Sequence, residues 1–187
     1  MNNNLPYHLG GHENHTHIDE GALDFLIERY DAKSFLDVGC GPGGMVDLAI
    51  EKGLIAHGVD GDFTVVRKNA QNITIHDYVT GPVTLDRNYD IGWSCEFLEH
   101  VEEVYMANYM DTFKYCKAIA VTHAFPNQPG HHHVNLKNPE YWIEKFSLFG
   151  FSQDIEATKI IREKSTMGNE YIRVSGLVFT NTNYNKA

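Results

Sequence analysis

The sequence predicts an α/β fold, a mostly parallel sheet covered by helices on both faces. Three observations carry this: strand-like and helix-like segments alternate along most of the chain, a glycine-rich turn follows the first strand, and an acidic residue closes the second. Residues 1–15 are polar and rich in Asn, His and Gly, and read as a flexible arm before a single domain at 16–187. Thr16 and Asp19 resemble a capping box, and Leu23, Leu26, Ile27 and Tyr30 recur at helical spacing, which predicts a helix near 17–31. Residues 34–38 are a short apolar run ending in glycines, hence a buried strand. A helix at 45–52 follows, closed by Gly53. Strands are expected at 54–59, 73–76, 91–95 and 118–122, with a short helix at 63–71. Leu98, Val101, Tyr105, Tyr109, Phe113 and Cys116 predict one continuous helix, and Pro139–Leu148 another. Tyr171–Thr180 alternates like a closing antiparallel strand.

The 187 residues fit one domain, in which roughly 70% of the unfolded surface is buried, so folding requires neither disulfide nor metal. Lys and Arg number 15 against 25 Asp and Glu, a net charge of −10, with 11 histidines apart. That balance opposes a long nucleic-acid partner or an anionic membrane surface. Cys40, Cys95 and Cys116 form no C-x-x-C pair, and neither a leader-like start nor 18 consecutive apolar residues occur. A cytoplasmic protein is expected; the sequence sets no oligomeric state.

Asp37-Val38-Gly39-Cys40-Gly41-Pro42-Gly43-Gly44 lies between the first strand and its helix. Such glycines let the backbone approach a ligand, and the helix N-terminus beyond offers free amides. Asp60, 21 residues after Gly39, can accept hydrogen bonds from a ribose diol. Gly39, Gly41 and Gly44 also satisfy the dinucleotide pattern G-x-G-x-x-G, but the Asp37 carboxylate would repel a pyrophosphate and attract a sulfonium or ammonium group.

With DVGCGPGG at 37–44, GVDGD at 58–62, HDY at 76–78 and DIGWSCEFLEHV at 90–101, the chain resembles the class I S-adenosylmethionine-dependent methyltransferases over about 160 residues. The resemblance implies a Rossmann-like sheet of seven strands with one terminal antiparallel strand. It also implies that Asp37, Gly39, Cys40 and Gly41 hold the methionine end of S-adenosylmethionine. Asp60 would take the ribose hydroxyls, Gly61 and Asp62 would border the adenosine, Asp77 would face the adenine amino group with Tyr78 beside the ring, and Ser94 and Cys95 would line the sulfonium.

Glu96, Glu99 and His100 are spaced i, i+3, i+4, so on a helix they share one face at the carboxyl edge of the sheet. Two carboxylates and an imidazole suit a divalent cation such as Mg or Mn. The pattern resembles that of ubiquinone-pathway O-methyltransferases and of small-RNA 3′-terminal 2′-O-methyltransferases, which implies a further ligand among His131, His132 and His133. Against this stand two plainer roles: Glu96 and Glu99 favouring a helix N-terminus, and His100 acting as a general base without metal, with His132 second. His8, His12, His15 and His17 belong to a solvated arm or to a flap over cofactor. Trp93, Tyr105, Tyr109, Tyr141 and Trp142 read as packing residues. The expected function is methyl transfer to a small or medium-sized acceptor, with an O-directed, metal-assisted transfer as one form of it; the sequence leaves open O-, N-, C- or S-direction and the metal. The alternatives are a non-catalytic cofactor-binding subunit and another group transfer from the same cofactor.

Overall fold

The computed structural model describes residues 4–184, so the outermost residues of the predicted arm and domain, 1–3 and 185–187, lie outside the described residues. The strands are β1 (Ser34–Val38), β2 (Ile55–Asp60), β3 (Ile73–Ile75), β4 (Tyr89–Ser94), β5 (Cys116–Val121), β6 (Phe151–Gln153) and β7 (Leu177–Asn181). They form one sheet in the order β3-β2-β1-β4-β5-β7-β6. Strands β1 to β5 pair in parallel, and β7 runs antiparallel to both β5 and β6. The chain thus has the expected seven-stranded Rossmann-like sheet. Strand order reverses between β1 and β4, which opens a crevice at their carboxyl ends.

Among the described residues, six helices flank the sheet: α1 (Glu20–Tyr30), α2 (Gly44–Glu51), α3 (Met106–Phe113), α4 (Pro139–Leu148), α5 (Ile155–Lys164) and α6 (Tyr171–Ser175). Alternation along β1 divides the core. Phe35 packs with Leu23, Leu26, Met45 and Ile161 on one face, while Leu36 and Val38 pack with Tyr109, Phe113, Trp142 and Phe146 on the other. Among the described residues, no helix is long and apolar enough to cross a membrane.

Four local expectations are corrected. The helix expected at 63–71 is absent apart from a 3₁₀ turn at Ala70–Asn72, because Asp62 Oδ1 accepts from both the N–H and the hydroxyl of Thr64, an Asx turn that turns the chain away. The continuous helix over 98–116 is broken into 3₁₀ turns at Leu98–His100 and Glu103–Tyr105 before α3. The Glu99 carbonyl accepts from Val134 and Asn135 N–H, and the His100 carbonyl from His132 Nδ1–H, so these oxygens are withdrawn from helical bonding. Tyr171–Ser175 is helical rather than extended, since Arg173 reaches back to the Met167 carbonyl at 2.7 Å and strand geometry resumes after Gly176. The capping box divides as well. Asp19 caps α1 through Ala22 N–H at 3.0 Å, while Thr16 Oγ1 accepts from Gly44 N–H at 3.2 Å and serves α2.

Asp19 is fully buried, and besides its cap it accepts from Thr166 N–H at 2.9 Å and from the Ser165 hydroxyl. Asp19→Ala removes a cap and orphans a second amide, so urea denaturation should show a loss of about 2–4 kcal/mol. A loss below about 1 kcal/mol, the worth of a cap alone, would mean that the Thr166 contact contributes nothing.

Candidate active site

The crevice is a cavity of about 610 Å³, within the range that holds a drug-sized ligand. Its floor is the glycine turn after β1. A Cβ at Gly39, where φ is +76°, would lie 2.4 Å from the Phe97 ring, so the close packing of Phe97 requires glycine there. Asp37, Cys40, Gly41, Gly61 and Tyr78 also line the cavity, as does Cys95 beyond β4. Ser94 does not line it. Its hydroxyl is buried and donates to the Val38 carbonyl at 2.8 Å, tying β4 to β1.

Asp60 is more heavily engaged than its motif suggests. Oδ2 accepts from Gly41 N–H at 2.7 Å, and Oδ1 accepts from Asp62 N–H at 2.8 Å and from Arg67 Nη2 at 3.1 Å. A carboxylate offers about four lone-pair positions, which leaves one, on Oδ2, for a ligand hydroxyl. Arg67 also donates through Nε to the Gly41 carbonyl at 2.8 Å, a buried clamp on the turn. Nothing in the sequence marked Arg67 or Phe97 beyond their positions just after Asp60 and Glu96. Asp37 is buried, and burial, then the Asp60 charge, push its carboxyl well above the usual range. A cation beside it would restore the ionised form.

The described part of the N-terminal segment lies against this cavity rather than in solvent. His8 Nε2–H donates to Asp77 at 2.8 Å and His12 Nε2–H to Asp62 at 3.1 Å. His15 meets His17 edge-to-face with ring centroids 4.9 Å apart, and His17 meets Tyr171 in the same way. Among the aromatics read as packing residues, Trp93, Tyr109 and Trp142 are fully buried, while Tyr105 and Tyr141 are partly exposed.

Past β4 the carboxylate and histidine cluster assembles on 3₁₀ and loop backbone, not on a helix face. Ligand atoms of Glu99, His100 and His133 lie within 4.8 Å of one another. His100 Nδ1–H donates to the His131 carbonyl at 2.7 Å and His133 Nδ1–H to the Gln128 carbonyl at 3.0 Å. Both tautomers are thereby fixed, with the Nε2 lone pair left free, as in metal-binding histidines whose other ring N–H is held by a carbonyl. Glu99 is fully buried and neither oxygen meets a hydrogen-bond partner. Burial, then the neighbouring Glu96 charge, drive its pKa well up, while burial and His133 lower that of His100 to about 4. Such an orphaned buried carboxylate facing two free imidazole lone pairs fits a divalent cation.

Glu96 and His131 are not members of this triad, although the Glu96 carboxyl lies beside that of Glu99 and interacts with it. Glu96, at φ +54°, is held by Thr122, whose hydroxyl accepts its N–H at 2.8 Å, and burial raises its carboxyl to about 7. The His131 ring meets Tyr7 in a tilted contact, with ring centroids 5.0 Å apart. His132 lines the cavity, its Nδ1–H committed to the His100 carbonyl.

Residues 36–114 match a family model described as a methyltransferase domain. No curated protein matches the chain in sequence. Among solved structures, the methyltransferase domain of bacterial CtHen1-CN superposes with a TM-score of 0.59 at 16% identity, over 86% of this chain and 96% of that one. Magnesium protoporphyrin IX methyltransferase from Synechocystis PCC 6803, with bound S-adenosylhomocysteine, gives 0.58 at 14%, over 84% and 78%. The sugar N-methyltransferase KedS8 from Streptoalloteichus sp ATCC 53650 gives 0.61 at 13%, over 86% of each chain. Residues 36–114 thus match a methyltransferase domain, and the fold is the one shared by class I S-adenosylmethionine-dependent methyltransferases.

Proposed function

We propose that this chain transfers the methyl group of S-adenosylmethionine to a hydroxyl of a small or medium-sized acceptor, with a divalent cation, Mg or Mn, held by Glu99, His100 and His133. The observation that carries the hydroxyl and metal reading is the orphaned Glu99 carboxylate facing two imidazoles whose Nδ1–H groups are already committed. The fold leaves the acceptor open: the neighbours named above for a porphyrin and for a sugar nitrogen share the architecture and not the substrate.

Asp37 would hold the methionine end, Asp60 would accept one ribose hydroxyl through its remaining position, and Asp77 would face the adenine, while the glycine-turn amides are already engaged within the protein. Bound S-adenosylmethionine supplies a methyl on a sulfonium that leaves as a neutral thioether, and a bound cation lowers the pKa of the acceptor hydroxyl. His132 receives the hydroxyl proton on Nε2, since its Nδ1–H is occupied. The remaining work of the pocket is alignment and exclusion of water.

The test is calorimetric binding of S-adenosylhomocysteine, followed by transfer of labelled methyl to hydroxyl, amine and thiol acceptors with Mn or with chelator. Binding together with chelator-sensitive transfer to hydroxyls is the expected result. Transfer that survives chelation overturns the metal part. Binding without turnover on any acceptor favours the non-catalytic subunit.

A further inference from the structure

The segment Tyr7–His12 runs across the cavity mouth between two groups of side chains that the sequence keeps far apart. At the adenosine end, His8 and His12 engage Asp77 and Asp62, partners 69 and 50 residues away. Leu9 packs on Gly61, where an added Cβ would meet its Cδ2 at 2.4 Å. At the histidine end, Gly11 passes so close to His131 that a Cβ there would lie 2.8 Å from the ring, and its φ of +88° favours glycine as well. Tyr7 meets His131 in a tilted ring contact and His132 edge-on, with ring centroids 5.0 and 5.8 Å apart.

These contacts are with walls and not with the lumen. The cavity of about 610 Å³ exists with the strap in place and is lined by it, so the strap bounds the space instead of filling it. The Asp62 side chain is only 5% exposed beneath His12. Burial by itself would raise its carboxyl, yet the Thr64 hydrogen bonds and His12 hold it below its ordinary value.

We propose that the strap Tyr7–His12 is a built wall of the cofactor site, in which His8 and His12 are positioning residues that hold Asp77 and Asp62 toward the adenosine. This rests on the reading of the cavity as an S-adenosylmethionine site. Neither histidine belongs to the motifs by which that reading was reached.

The probe is S-adenosylhomocysteine, titrated calorimetrically into the full chain. His8→Ala and His12→Ala should each raise its Kd about five- to tenfold, as expected when a hydrogen bond to a charged partner is lost. The melting temperature without ligand should stay within about 2 °C for His8→Ala, whose pair with Asp77 is partly exposed at the cavity mouth, and should fall further for His12→Ala, which leaves a buried Asp62 oxygen without its donor. His8→Gln, which keeps a donor, should recover most of the affinity. In a cycle with Asp77→Asn, the His8→Ala effect should largely vanish, an outcome that general loosening of the fold would not produce.

Unchanged affinity in the His8→Ala/His12→Ala double variant overturns the proposal. So does tighter binding, which would make the strap a competitor of the cofactor. If the wild-type chain itself binds no S-adenosylhomocysteine, the cofactor reading fails, and that failure is visible before any variant is made.

Discussion

Asp60→Ala should weaken S-adenosylhomocysteine binding by more than roughly tenfold and should also destabilise the empty protein. The two effects have different origins. Affinity falls because the open Oδ2 position is lost and because Gly41 N–H loses the acceptor that holds the turn in place. Stability falls because Arg67, whose side chain is 4% exposed, keeps its charge without its carboxylate, and breaking a buried pair costs about 3–5 kcal/mol. Asp60→Ala/Arg67→Met removes the stranded charge. It should regain most of the stability seen in urea denaturation and little of the affinity seen by calorimetry. Wild-type affinity in Asp60→Ala would count against the whole cofactor assignment. Equal stability of the single and double variants would show that Arg67 tolerates burial alone.

Asp60 also illustrates what the sequence made legible. Strand β1, the turn after it and the acid closing β2 are local features, an apolar run, a cluster of glycines and a fixed spacing, and each appears where expected. Helix α4 was found with its boundaries because Pro139 stands at its first position after Asn138, a start signal independent of tertiary context. The 98–116 stretch has equally regular apolar periodicity, and Leu98, Tyr109, Phe113 and Cys116 are all fully buried as it implies. It is nevertheless not one helix, because the Glu99 and His100 carbonyls bond to residues 132–135, a partnership no local pattern encodes. Glu99, His100 and His133 do come together, but on 3₁₀ and loop backbone and not on the helix face that the spacing implied. Glu96 remains beside Glu99, with its N–H held by the Thr122 hydroxyl. The N-terminal histidines left two readings open, a solvated arm or a flap over cofactor, because their partners lie beyond β2 and β3 and no local pattern encodes them.

Glu99→Gln should abolish cation-dependent methyl transfer, lowering turnover by about two orders of magnitude, since a ligand to the activating ion is lost. Without cation, the same substitution should make the protein more stable at pH 8, and the sign follows from the shift. The folded state raises the Glu99 pKa well above its unfolded value, so folding favours the protonated form. Wild-type stability in chelator therefore declines as pH rises from the unfolded carboxyl range, about 4.3, through the raised folded values. Glu96, raised to about 7, adds to that decline, so the variant's profile should be flatter but not flat. His100 and His123, both lowered to about 4, act in the opposite sense, losing stability as pH falls below about 6.5. Comparing variant with wild type at each pH separates the interacting Glu96–Glu99 pair from the background of His123. Addition of Mn should then raise the stability of the wild type at pH 8 by mass action and leave that of Glu99→Gln unchanged. A variant less stable than wild type at pH 8 in chelator would mean that Glu99 is held by protein donors and has no unmet need for a cation. A Mn response retained in the variant would place the ion elsewhere.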